Sequence, residues 1–139
     1  MKKTMIAAAI LFTITVHAQD KGKAPEAAKT AFTKSFPGAS GVKWGKEDAN
    51  YEVDFVQSGK KMSAVYDAKG TLLETELSLA VSELPAAVMP YVNEHYKGMA
   101  IKETAKITKP NGEVSYEVGV KGKDILFNTS GQFLKEEKD

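Results

Sequence analysis

The sequence predicts an α+β fold, a tandem repeat of two units that are each one helix plus a four-stranded antiparallel sheet. Three observations predict it. Tyr-Glu-Val is written twice, at 51–53 and 116–118. A helical apolar period closed by a glycine also occurs twice, ending at Gly38 and Gly98. After each come short runs of alternating apolar and polar residues, separated by turn-forming residues.

The elements follow in order. Ala24, Ala28, Ala31, Phe32 and Phe36 fall three or four apart and share one helical face. Pro25 suits a first turn, and Pro37-Gly38 ends the helix. VKW at 42–44 reads as a short strand. Tyr51, Val53 and Phe55 alternate with Glu52 and Asp54, giving a strand with one apolar face. Ser58-Gly59 signals a hairpin. Met62, Ala64 and Tyr66 alternate again, Asp67–Gly70 turns the chain, and Thr71–Leu77 is a fourth strand.

The order then restarts. Ser82 is the expected N-cap of a second helix carrying Leu84, Val88, Tyr91, Val92 and Tyr96. Pro90 falls inside it and is expected to kink or break it. Strands are expected over Ile101–Thr108, Val114–Val120, Ile125–Phe127 and at Phe133-Leu134, with turns at Pro110–Gly112, Gly122-Lys123 and Ser130-Gly131. Laid side by side, Phe32 answers Val92, Phe36 answers Tyr96, Tyr66-Asp67 answers Phe127-Asn128, and Leu73 answers Leu134. A lone unit of this size is marginal. Two units can share a core or join sheets edge to edge.

Composition bounds the function. The first 18 residues carry Lys2-Lys3, an apolar run from Met5 to Val16 and Val16-His17-Ala18, the layout of a secretory signal peptide. The domain organisation expected is a signal peptide over 1–18, a first repeat over 19–79 with a polar leader at 19–23, and a second over 80–139. The apolar run is too short to span a bilayer, so no membrane attachment is expected after cleavage, and the periplasm is the expected compartment. Removing Lys2 and Lys3 moves the formal net charge from +1 to −1. There is no arginine, which argues against nucleic-acid binding, and no cysteine, which excludes disulfides and thiol chemistry.

The runs AFTKSFPGASGVKW, YEVDF, VYDAKGTLLE, LPAAVMPYVNEHY, YEVGV and LFNTSGQFLKEE together resemble the PepSY-like proteins of Bacteroidetes, which are similar to beta-lactamase inhibitor protein. The resemblance covers roughly 25–137. It implies a beta-lactamase-inhibitor-like fold whose sheets form a curved surface for docking an enzyme. PepSY domains in peptidase propeptides restrain the peptidase, which suggests the kind of partner.

No residue pattern names a reaction. His95 is the one histidine beyond the leader, and a lone histidine builds neither a metal site nor a triad. Glu52 and Asp54 lie about 7 Å apart along a strand, but read as an ordinary solvated face. Asp67–Gly70 lacks the alternating oxygen ligands of a calcium loop and reads as a turn. No catalytic, cofactor or metal-binding residue is therefore assigned. Val42 and Trp44 share parity, which places Trp44 in the core; its other role is that of a binding anchor. The expected function is a non-enzymatic binding module for an exported protein or peptidase. Glu52, Asp54, Glu117 and Trp44 are the candidate contacts. The alternative is a small-ligand carrier with a pocket between helices and sheets, lined by Trp44, Tyr66 and Tyr96.

Overall fold

The structure is a computed structural model and describes residues 23–138. The expected leader, 1–18, and Gln19–Gly22 of the polar stretch lie outside the described residues. Helix α1 spans Glu26–Ser35 and is followed by β1 (Ser40–Glu47), β2 (Asn50–Gln57), β3 (Lys60–Tyr66) and β4 (Leu72–Ser78). A 3-10 turn at Val81–Glu83 leads to α2 (Val88–His95). Then come β5 (Glu103–Thr108), β6 (Val114–Val120), β7 (Lys123–Phe127) and β8 (Phe133–Lys138). All eight strands form one antiparallel sheet in the order β1 to β8.

The two units join edge to edge. Strands β4 and β5 pair from Thr75 opposite Thr108 to Ser78 opposite Ala105. That pairing hides one edge of each unit and leaves β1 and β8 as the outer edges. Both outer strands are mostly exposed and rich in charge, which suits an edge that must not recruit further strands.

Both helices lie on one face, and each unit has its own apolar cluster beneath its helix. In the first, Ala28 and Phe32 pack on Val53, Phe55, Ala64 and Tyr66. The Phe32 ring lies 5.0 Å from Phe55 and 5.6 Å from Trp44, both edge-on. In the second, Val88 and Val92 pack on Val118, Val120, Ile125 and Phe127. Period-two alternation explains this selection, since every second residue of β2, β3, β6 and β7 reaches that face.

The repeat extends to the turns. Asp67 Oδ1 accepts from the Lys69 and Thr71 amides at 2.9 Å, and Asn128 Oδ1 accepts from Ser130 and Gln132 at 3.0 and 2.9 Å. Each turn then places a positive-φ glycine against the start of a helix. A Cβ on Gly70 would sit 2.6 Å from the Ala27 carbonyl oxygen, and one on Gly131 would sit 3.1 Å from Pro85 and Ala87. Glycine is what lets each helix settle onto its hairpin.

Three expectations need correction. The second helix begins at Val88, not near Leu84, and Ser82 lies in the 3-10 turn instead of capping it. Pro90 is the third residue of α2 and does not break it. In a first turn the missing N–H has no intrahelical acceptor to lose. Strand β1 also runs well beyond 42–44, because a tight turn with Asp48 at φ 49° lets it pair with β2 as far as Glu47 opposite Asn50.

Candidate functional site

The face of the sheet away from the helices gathers carboxylates. Register fixes which ones. Asp54 stands opposite Lys43 and Ser63, and Ser63 stands opposite Glu76. Glu52 stands opposite Gly45 and Val65, and Val65 opposite Glu74. In the second unit Glu103 stands opposite Gly119, Gly119 opposite Asp124, and Asp124 opposite Glu137. Glu117 lies one pleat along β6, opposite Ala105 and Leu126. Parity puts all of these on the side that the helices do not cover.

Four of these carboxyls are buried, and Glu52, Asp54 and Glu103 are half-buried. Glu117 is 1% exposed and Glu76 is 2% exposed, and Glu74 and Asp124 are also buried. Oε1 of Glu52, Glu74, Glu76 and Glu117 has no hydrogen-bond partner. Burial disfavours the charged form, and neighbouring carboxylates disfavour it further. Burial, followed by Asp54 and Glu47, pushes Glu52 up to about 9. Burial, followed by Asp124 and Glu103, pushes Glu117 up to about 9. Burial raises Glu76 well above the usual range, with Glu117 as the next cause. Burial raises Glu47 and Glu74 to about 7. Asp54 is raised by burial, but Lys43 beside it pulls the other way. At neutral pH the face therefore holds protons that a cation could displace.

The sequence expectation of a solvated face for Glu52 and Asp54 is corrected in degree: both are half-buried, and that partial desolvation is what raises them most. Glu52, Asp54 and Glu117 do share the helix-free face. Trp44 does not: it stands opposite Val53 on the helix face, with its ring 6.0 Å from Tyr66. Sequence reasoning missed Glu47, Glu74, Glu76, Glu103 and Asp124. The available signal was the repeat itself. Extending the alignment matches Lys43 with Glu103, Ser63 with Asp124 and Glu76 with Glu137.

The other candidates fall elsewhere. His95 ends α2, with its ring 4.1 Å from Tyr91. A cleft of about 300 Å³ lies beside Trp44, lined by Phe32, Phe36, Gly38 and Val42 among others. Tyr66, fully buried in the same cluster as Trp44, does not line it, and Tyr96 packs on the second cluster. The structure thus does not assemble the three aromatics expected for a carrier pocket. No helix among the described residues is long and apolar enough to cross a membrane.

A doubled helix-on-sheet unit with an acidic helix-free face defines the class of protein. The profile of the PepSY-like family, described as "Putative beta-lactamase-inhibitor-like, PepSY-like", matches residues 16–74 and again residues 49–135. The chain belongs to this family. Among solved structures it is similar to one from Bacteroides eggerthii, described among "putative periplasmic proteins", at 22% identity. That match covers 84% of this chain and 90% of that one, with a TM-score of 0.71. It is also similar to a BLIP-like protein from Bacteroides fragilis at 26% identity, covering 82% and 86%, with a TM-score of 0.62. A DUF2874 family protein from Bacteroides uniformis matches at 24% identity over 83% and 89%, with a TM-score of 0.66. No curated protein sequence matches the chain.

Proposed function

We propose that the protein is an exported, non-enzymatic binding module whose helix-free sheet face takes a lysine- or arginine-bearing segment of a periplasmic protein, and so restrains that protein. The observation that carries this reading is the concentration of partnerless carboxyl oxygens on one sheet face, at Glu52, Glu74, Glu76 and Glu117. A buried polar group without a partner is costly, and a basic side chain entering the face would supply the missing donors. The likeness to a BLIP-like protein supports a protein as the partner. The likeness to a structure described as "putative periplasmic" supports the compartment.

Binding of a synthetic lysine-rich peptide, followed by fluorescence anisotropy, tests the reading against a glutamate-rich peptide of equal length. Glu52→Lys is the variant of choice, because Glu52 is only half-buried and the substitution leaves the helix-face core untouched. Binding of the basic peptide, lost in Glu52→Lys while far-UV circular dichroism stays unchanged, supports the proposal. Equal binding of both peptides, or none of the basic one, overturns it.

A further inference from the structure

The two units differ at one register row, and the difference has a chemical meaning. In the first unit the row runs Lys43, Asp54, Ser63, Glu76 across β1 to β4. In the second it runs Glu103, Gly119, Asp124, Glu137 across β5 to β8. Where the first unit has an ammonium beside its carboxylate, the second has another carboxylate. Where the first has Asp54, the second has a glycine.

We propose that Glu103, Glu117 and Asp124 form a binding site for a divalent cation of the calcium type. The site goes beyond the peptide-binding reading and does not depend on it. Three carboxylate oxygens, one from each residue, all lie within 4.8 Å of one another. Glu117 is 1% exposed, and its Oε1 has no hydrogen-bond partner. Gly119 lies opposite both Glu103 and Asp124. A Cβ there would come 2.8 Å from Glu103 Cγ, 3.2 Å from Glu103 Oε1 and 3.3 Å from Asp124 Oδ1. Glycine therefore leaves open the space into which the carboxylates point.

Donor chemistry selects the ion. The set is all oxygen, without nitrogen or sulfur, which favours hard cations over zinc or copper. Calcium takes oxygens at about 2.3–2.6 Å, so ligands on opposite sides of it stand up to about 5 Å apart. Magnesium gives up its waters reluctantly and is usually held by one or two carboxylates, so a set of three protein carboxylates suits it less well. Water completes the shell. A site with only three carboxylates and no further protein ligand belongs with the weaker extracellular calcium modules, at about 10⁻⁴–10⁻³ M.

The test is calorimetric titration of the purified, chelator-treated protein with CaCl₂ and MgCl₂ in physiological salt. Glu103→Gln, Glu117→Gln and, as a distant control, Glu26→Gln are titrated alongside. Saturable calcium binding that is stronger than magnesium binding is expected. Both site variants should weaken it at least about tenfold, with the control unchanged. Should Glu117→Gln fail to fold, Glu103→Gln decides alone, since Glu103 is only half-buried. No calcium binding up to about 10 mM, tenfold above the weak end of the expected range, overturns the proposal. So does unchanged binding in Glu103→Gln, or tighter binding of magnesium than of calcium.

Discussion

Tyr66 and Phe127 hold the same place in their two units. Each ends the third strand of its unit, each is 0% exposed beneath its helix, and each pairs across a bulge that passes over a leucine, Leu73 or Leu134. Phe127 also meets Tyr91 of α2 edge-on at 5.6 Å. Truncating it leaves a cavity that neither α2 nor the sheet can close. Phe127→Ala should cost about 3–5 kcal/mol, measured by urea unfolding. A loss under about 1 kcal/mol would mean that the second cluster is not a packed core.

Glycine substitutions should separate strain from crowding. Gly59 has φ +76° with nothing within 4 Å of its missing Cβ, so Gly59→Ala should cost about 1–2 kcal/mol, from the left-handed backbone alone. Gly70 has φ +85° and also abuts Ala27 backbone, so Gly70→Ala should cost clearly more and loosen α1. Equal costs in thermal melts would show that the hairpin does not touch the helix.

Stability should fall as the pH rises from about 5 to about 9. Glu47 and Glu74 are raised to about 7 and Glu52 to about 9, above the ordinary glutamate value of 4.5. The folded state therefore binds more protons than the unfolded chain over this window. Stability is full below the unfolded pKa and is lost as the pH climbs through the folded values. Chemical denaturation at a series of pH values checks the slope. Glu52→Gln removes one titrating group and should flatten it at the alkaline end. A stability that rises over this window would contradict the burial of these carboxyls.

Tyr96 ties α2 to β8. Its hydroxyl donates to Glu136 Oε2 at 2.6 Å, while Lys123 Nζ donates to Glu136 Oε1 at 2.9 Å. Burial, with the Glu136 contact next, raises Tyr96 to about 12. Tyr96→Phe should cost about 0.5–1.5 kcal/mol. Spectroscopic titration at 295 nm should show the most alkaline tyrosine transition in the parent protein and lose it in the variant.

Trp44 should report on the helix face and not on the acidic one. Trp44→Phe is expected to lower stability by about 1–2 kcal/mol through lost contact with Phe32 and Tyr66. It should leave the affinity for a basic peptide within about twofold, well under the tenfold that 1.4 kcal/mol represents. A large loss of peptide affinity would move the contact surface to the other side of the sheet.

The sequence by itself determined the repeated unit, its helix-facing residues and its turns. These are local matters: a period of two selects Val53 and Val118 for the same face, and Asp67 and Asn128 close the same turn whatever lies beyond them. It also placed Glu52, Asp54 and Glu117 together, because parity along a strand needs no partner. The start of α2 was less legible, since Ser82 offers an N-cap that the chain uses only for a 3-10 turn. What the tertiary structure alone decided is how strands far apart in sequence line up. Pairing β4 with β5 makes one sheet of two, and the register of β5, β6 and β7 brings Glu103, Glu117 and Asp124 to one spot. Carboxylates that read as a solvated fringe along single strands become a desolvated cluster, because the energy of a charge depends on what surrounds it in space and not on its neighbours in the chain.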